Sequence, residues 1–205
     1  HLGYWNLLAA TGQKDTAVRL LQAYPHPPTA PMEVVQMSNL YDLLGKSDDE
    51  LKLLQRSVPD FGTVPIFWVT FASALVKSKH WEDLRRVALQ IRGQDAVRDS
   101  LIGLSYFLEG RAELGQQRAP SARNDFQKAA ECDYPFPTLG FKVANDLLQF
   151  GYPKDSQQIL AGLEKPLGND VAYWMVLFNV ADRLRDMDLL VNAGSRAFAL
   201  APGNG

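Results

Sequence analysis

Apolar residues recur every three or four positions through most of the chain, in segments that glycine or proline interrupts. In the clearest segment, the residues on one predicted helix face are Trp174, Leu177, Phe178 and Ala181. A turn at Arg185-Asp186 follows, and the next segment places on one side Leu190, Gly194, Ala197 and Phe198. The pattern predicts two helices within residues 171–204, and the small residues of the second helix favour their close approach.

The same pattern returns at a spacing of about 34 residues. Gly12, Gly45 and Gly151 each separate two helical segments, and Trp68 and Trp174 occupy matching places. This period is typical of stacked helix pairs, each of which buries its apolar face only against its neighbours. We therefore predict a single array over residues 1–205, divided into pairs at 1–30, 31–64, 65–98, 99–136, 137–170 and 171–204.

Several residues predict where helices begin or end. The sequence Ser47-Asp48-Asp49-Glu50 has the capping-box pattern, so a side-chain cap is expected at the start of that helix. Pro153 suits a first helical turn, while Pro25 and the sequence Pro202-Gly203 are expected to end helices. Residues 99–136 are irregular: their first helix is predicted from about Ala96 to Leu114 and their second from Pro120-Ser121.

These residues resemble the tetratricopeptide repeat family, whose unit is a helix-turn-helix with an early Trp, a turn Gly, small residues in the second helix and a closing Pro. The likeness covers essentially the whole chain and is best through Trp174, Leu177, Ala181, Ala197 and Pro202. It implies an all-α fold: an α-solenoid, a right-handed superhelix of antiparallel helix pairs. The first helices of such pairs line a concave groove that binds extended peptides.

Three residues depart from the family pattern. Lys79 and Arg185 stand where the family has its turn Gly, and Phe178 stands where a small residue is usual. We expect Phe178 to widen the angle between the two helices of its pair. Some members of the family hold a carboxylate in a Lys/Asn/Arg clamp, and Lys142 and Asn145 match part of it. Because Met175 and Val176 follow where polar groups are needed, we expect no clamp here.

One register position is polar in every regular pair. Two turns into the first helix, the residues are Asn6, Asn39, Ser73, Asn145 and Asn179. A carboxamide both donates and accepts hydrogen bonds, so a row of them could hold the backbone of an extended chain whatever its sequence. Alternatively, these amides bond only to water or to an adjacent helix. Beside them, apolar pockets or ordinary helix packing would use Val35, Val69, Phe141 and Met175.

Composition and charge narrow the functional classes. The chain has 46% hydrophobic and 21% charged residues, and its net charge of −2 argues against a dedicated nucleic-acid binder. The longest nearly apolar run, residues 64–76, is shorter than the roughly 20 residues that span a bilayer, so no membrane insertion is expected. The single Cys132 forms no internal disulfide, which leaves a soluble location in the cytoplasm or the periplasm open.

The sequence offers little for catalysis. His1, His26 and His80 lie without metal-ligand spacing, Cys132 has no base beside it in sequence, and no glycine-rich phosphate loop is present. We therefore expect no enzyme activity, no metal and no cofactor. The acidic pairs Asp48/Asp49 and Glu82/Asp83 lie at helix starts, where they complement the helix dipole.

The sequence thus favours a scaffold that binds a protein or peptide in its groove. Two alternatives stay open: a self-association module, in which the end near Val191, Ala197 and Phe198 meets a second copy as a homodimer, and an accessory array of a larger enzyme or assembly. Both chain ends cut through the predicted array without a polar capping helix. We therefore expect either a fragment of a longer protein or a last apolar face that packs on a partner copy.

Overall fold

The computed structural model describes residues 2–24 and 26–201, which form twelve α-helices and no strand. In chain order the helices are α1 Leu2–Ala10, α2 Lys14–Gln22, α3 Pro31–Leu43, α4 Ser47–Phe61, α5 Pro65–Lys77, α6 Trp81–Gly93, α7 Asp95–Gly115, α8 Ala119–Ala130, α9 Pro137–Gln149, α10 Pro153–Leu167, α11 Val171–Leu184 and α12 Met187–Leu200. The helix ends expected at Pro25, Pro202 and Gly203 lie outside the described residues. The chain divides into two compact units, residues 1–99 and residues 100–205.

The first unit is a stack of helix pairs. α1 packs on α2, α3 on α4 and α5 on α6, while α3 also contacts both α1 and α5. α5 lies against α4 as well, so each pair buries the next along a shared apolar core. That core includes the fully buried side chains of Leu40, Leu54, Trp68 and Leu84. The period of the sequence is thus a period of packing in this unit.

The second unit follows the same rule: α9 packs on α10 and α11 on α12, and α11 also contacts α9 and α10. The longer helix α7 packs on α8 through Phe107 and Phe126, whose ring centroids lie 5.8 Å apart. Gly110 allows this approach, because a Cβ there would lie 2.5 Å from the Phe126 ring. Its observed start and end are within one residue of those predicted for the irregular pair.

One backbone conformation marks the turn inside every pair of the described chain. The residues with positive φ are Gly12 (91°), Gly45 (70°), Lys79 (59°), Gln117 (63°), Gly151 (86°) and Arg185 (58°). The turns predicted at the three glycines are confirmed. Lys79 and Arg185 keep the left-handed conformation although they have side chains, a conformation that favours glycine. The repeat therefore fixes the turn geometry even where its preferred residue is missing.

The matching tryptophans have the same role in their two units. The indole N–H of Trp68 donates to the Gly62 carbonyl at 2.6 Å, and that of Trp174 donates to the Gly168 carbonyl at 2.7 Å. Each acceptor is the residue that ends the preceding helix, α4 or α10. Each tryptophan thus ties the first helix of its pair to the end of the pair before it.

The capping box expected at Ser47-Asp48-Asp49-Glu50 is wrong. Lys46 is the N-cap of α4 and makes no side-chain cap bond, while Ser47 is already the first helical residue. Glu50 is buried, and its carboxylate accepts a hydrogen bond from Ser38 of α3 rather than from the backbone of its own helix. Packing against α3 therefore takes the side chain that the local pattern assigns to the cap. Pro153 does begin α10, as predicted.

Candidate functional site

In the first unit the candidate residues lie on the contacting helices α3 and α5, on what we call the α3–α5 surface. Val35 and Asn39 of α3 stand 34 residues before Val69 and Ser73 of α5. Asn39 is exposed, and the other three side chains are partly exposed. At one end of the surface, Lys77 of α5 forms a 2.5 Å ion pair with Asp42 of α3. The surface therefore offers apolar, amide and charged groups in that order along the helices.

Two of the register residues already make hydrogen bonds within the protein. The Ser73 hydroxyl donates to the Val69 carbonyl at 2.9 Å, which leaves only its acceptor capacity for a partner. The Asn6 amide donates to the carbonyls of Leu2 and Gln36 at 3.0 Å each, and so joins α1 to α3. At α1 the amide has the helix-packing role that the sequence left as the alternative.

In the second unit the candidates lie on what we call the α9–α11 surface. Phe141 and Asn145 of α9 are partly exposed, and Met175 and Asn179 of α11 are exposed. Within the described residues, neither Asn145 nor Asn179 nor Asn39 makes a hydrogen bond through its amide. Each of these three amides therefore keeps two donors and one acceptor for another molecule.

One member of the register was missed from the sequence. Arg111 of α7 lies six residues before the turn residue Gln117, the same interval that separates Asn145 from Gly151 and Asn179 from Arg185. Its guanidinium lies 4.0 Å from the centroid of the Phe150 ring, a cation–π contact. Burial lowers the pKa of Arg111, whereas Asp146 opposes that shift. The longer helix α7 displaced this residue from the 34-residue spacing, and the turn residue is the mark that locates it.

The charges beside the α9–α11 surface are partly paired. Lys142 forms a 3.2 Å ion pair with Asp146 one turn along α9. Lys142 is the residue that matches the family's carboxylate clamp, and this pairing offsets its charge. The absence of a clamp stays a prediction.

The described residues hold no cluster of three or more His, Cys, Asp or Glu side chains that could bind a metal ion. Burial, together with Glu131 and Asp133, raises the pKa of the Cys132 thiol, which donates to the Lys128 carbonyl at 3.2 Å. A thiol with a raised pKa is a poor nucleophile at neutral pH. In the described part of the chain, every helix is too short or too polar to cross a bilayer.

No protein-family model matches the chain, and a search of curated proteins finds no match. Among the solved structures that resemble it is one from the functional characterization of Pseudomonas aeruginosa pilF, with a TM-score of 0.51 and 14% sequence identity. That match covers 99% of this chain and 93% of the other chain. PilF contains tetratricopeptide repeats. The likeness and the twelve described helices together give the chain an all-α, α-solenoid fold of the tetratricopeptide-repeat type.

Proposed function

From this repeat fold, we propose that the chain is a protein-interaction scaffold that holds an extended segment of a partner along the first helices of its pairs. The observation that carries the proposal is the pair Asn145 and Asn179. The two residues occupy one register position on the contacting helices α9 and α11, and their amides are unbonded among the described residues. A protein that needed these amides for its own packing would bond them internally, as it does with Asn6.

The spacing of the helices suits an extended backbone. Packed helices lie about 8–10 Å apart, and an extended peptide rises about 3.3 Å per residue, so neighbouring amides meet roughly every third residue of the guest. Each amide can donate to a guest carbonyl and accept from a guest N–H. Such contacts select an extended conformation rather than a particular sequence.

Apolar groups beside the amides supply the affinity for side chains. Met175 is 49% exposed, Phe141 is partly exposed, and both lie one turn before the asparagines of their helices. In the first unit, Val35 and Val69 have the same relation to Asn39 and Ser73. We therefore expect the preferred guest to carry aliphatic or aromatic residues, alternating with positions at which only its backbone is held.

The test begins with linear peptides selected from a random phage-displayed library against the chain. Their affinities are then measured by isothermal titration calorimetry for the wild type and for the double variant Asn145→Ala/Asn179→Ala. Losing one net hydrogen bond of about 1 kcal/mol at each site predicts roughly thirtyfold weaker binding. The matched control is Asn192→Ala, which removes an exposed amide from α12. The double variant should melt within about 2 °C of the wild type, because both amides lack internal partners.

Two results would contradict the proposal: selected peptides that bind both asparagine variants equally, or a double variant whose loss of binding follows a loss of stability. In the second case the amides would be structural, as Asn6 is.

A second candidate function is self-association at the end of the second unit. It is favoured by the exposed apolar side chains of α12, where Val191 is 60% and Phe198 is 62% exposed. Burying such residues against a second copy would remove apolar surface from water.

A further inference from the structure

The outer side of the last helix pair carries an apolar groove, which we call the α11–α12 groove. It has a volume of about 210 Å³ and is lined by Val171, Met175, Phe178, Gly194, Ala197 and Phe198. Phe178 forms part of its floor, because Gly194 lies so close that a Cβ there would be 3.4 Å from the Phe178 ring. All the lining side chains are apolar.

The preceding pair indicates what such a groove holds. Leu160 and Leu163 of α10 lie 34 residues before Gly194 and Ala197, and both leucines are buried. α11 packs on α9 and α10 there, and the Tyr173 hydroxyl donates to the Leu160 carbonyl at 3.1 Å. In the first unit, α5 contacts both helices of the pair α3–α4 in the same way. A groove of this kind therefore accepts the first helix of another pair.

That helix presents a defined face. Five and eight positions before the turn residue, the side chains are Leu40 and Met37 in α3, Ala74 and Phe71 in α5, and Val180 and Leu177 in α11. All six are less than 10% exposed. In α1 the same two positions hold Leu7 and Tyr4, which are 59% and 61% exposed. The chain thus carries both an open groove and an unpacked helix face of the type that fills such grooves.

We propose that the α11–α12 groove binds the Tyr4 and Leu7 face of α1 from a second copy of this chain, so that copies associate head to tail. The proposal rests on the candidate function of self-association and names the two surfaces that meet. Each contact uses a different surface of each copy, so every dimer keeps one open groove and one unpacked α1 face, and association continues into longer chains or a closed ring. The contact is small, so the association is weak and depends on concentration.

The experiment is sedimentation velocity of the 205-residue chain over a range of concentrations. Leu7→Asp blocks the α1 face and Phe198→Asp blocks the groove, and both residues are exposed, so the fold is preserved, as circular dichroism will check. The wild type should sediment faster with rising concentration, while each variant alone should associate at least about tenfold more weakly. An equimolar mixture of the two variants should form a 1:1 heterodimer and nothing larger. Leu89→Asp, at an exposed apolar residue of α6, should behave like the wild type.

The other outcomes separate the two levels of the proposal. A wild type that stays monomeric at every concentration overturns both self-association and the head-to-tail contact. A Leu7→Asp variant that associates like the wild type, beside a monomeric Phe198→Asp variant, overturns the role of α1 and leaves a symmetric contact through α12. A mixture of the variants that forms no complex also overturns the head-to-tail contact.

Discussion

The hydroxyl of Ser38 on α3 donates a 2.6 Å hydrogen bond to the carboxylate of Glu50 on α4, and both side chains are buried. Burial raises the pKa of Glu50 above its ordinary value, while the Ser38 bond opposes this shift; among the charges, Asp42 raises the pKa and Lys77 lowers it. A carboxyl group buried inside a helix pair therefore joins the two helices and is ionised at a cost. That cost makes the stability of the pair depend on pH.

Because the pKa of Glu50 lies above 4.5 in the folded chain, the folded state binds this proton more tightly than the unfolded state does. The resulting stabilisation is fully present below the unfolded pKa and is lost as the pH rises through the folded pKa. Glu50→Gln keeps an acceptor for Ser38 and removes the ionisation. In urea unfolding, we expect the variant and the wild type to be nearly equal below pH 4.5, with the variant gaining in relative stability as the pH rises.

Ser38→Ala is the control for the hydrogen bond itself. It leaves the Glu50 carboxylate buried without this donor, and we expect a loss of about 1–3 kcal/mol at neutral pH. A stability difference between Glu50→Gln and the wild type that does not change with pH would contradict the assigned role of Glu50.

The turn residues Lys79 and Arg185 predict a gain in stability. Both have the left-handed conformation, at φ of 59° and 58°, which costs a residue with a Cβ about 1–2 kcal/mol. Glycine relieves this cost but gains about 0.5–1 kcal/mol of freedom in the unfolded chain. We therefore expect Lys79→Gly and Arg185→Gly each to raise the free energy of unfolding by about 0.5–1 kcal/mol, measured by urea denaturation.

The matched control is Arg183→Gly, an exposed position in the last turn of α11 with ordinary helical geometry. It should lose up to about 1 kcal/mol, since glycine is a poor helix former. Equal losses at positions 183 and 185 would show that the left-handed turn carries no strain worth relieving.

These turns also show how far the sequence could predict the fold. Gly12, Gly45 and Gly151 are visible in the sequence because glycine is the cheapest residue at positive φ, and the helix pairs follow from them. Lys79 and Arg185 could be placed only by the period. Gln117 could not, because the longer helix α7 shifts it and nothing in its chemistry indicates a turn. The pattern thus predicted the pairs wherever local preference and period agree.

The candidate site was less accessible to sequence reasoning. Asn6 and Asn179 look equivalent along the chain, yet the Asn6 amide bonds Gln36 of the next first helix while Asn179 is exposed. Glu50 matched a local cap, but its partner is Ser38 of another helix. In both cases a contact between helices decides the role of the side chain, and one sequence contains no direct record of such contacts.

The contact between Gly110 and Phe126 gives the last prediction. A Cβ on Gly110 would lie 2.5 Å from one carbon of the Phe126 ring and 3.1 Å from the Ala122 carbonyl oxygen. Phe126 is fully buried and also packs on Tyr152, with ring centroids 4.8 Å apart, so its ring has no free space to move into. We expect Gly110→Ala to cost about 1–3 kcal/mol by overpacking, measured by urea unfolding.

The smaller side chain of Phe126→Leu should make room for the added methyl group. We therefore expect the double variant Gly110→Ala/Phe126→Leu to be more stable than the sum of the single losses predicts, with a coupling of at least about 0.5 kcal/mol. Gly162→Ala is the control, because Gly162 lies inside α10 with nothing within 4 Å of its added Cβ. That variant should gain about 0.5–1 kcal/mol from helix propensity alone. If Gly110→Ala gained as much, α7 and α8 would not approach each other closely at this point.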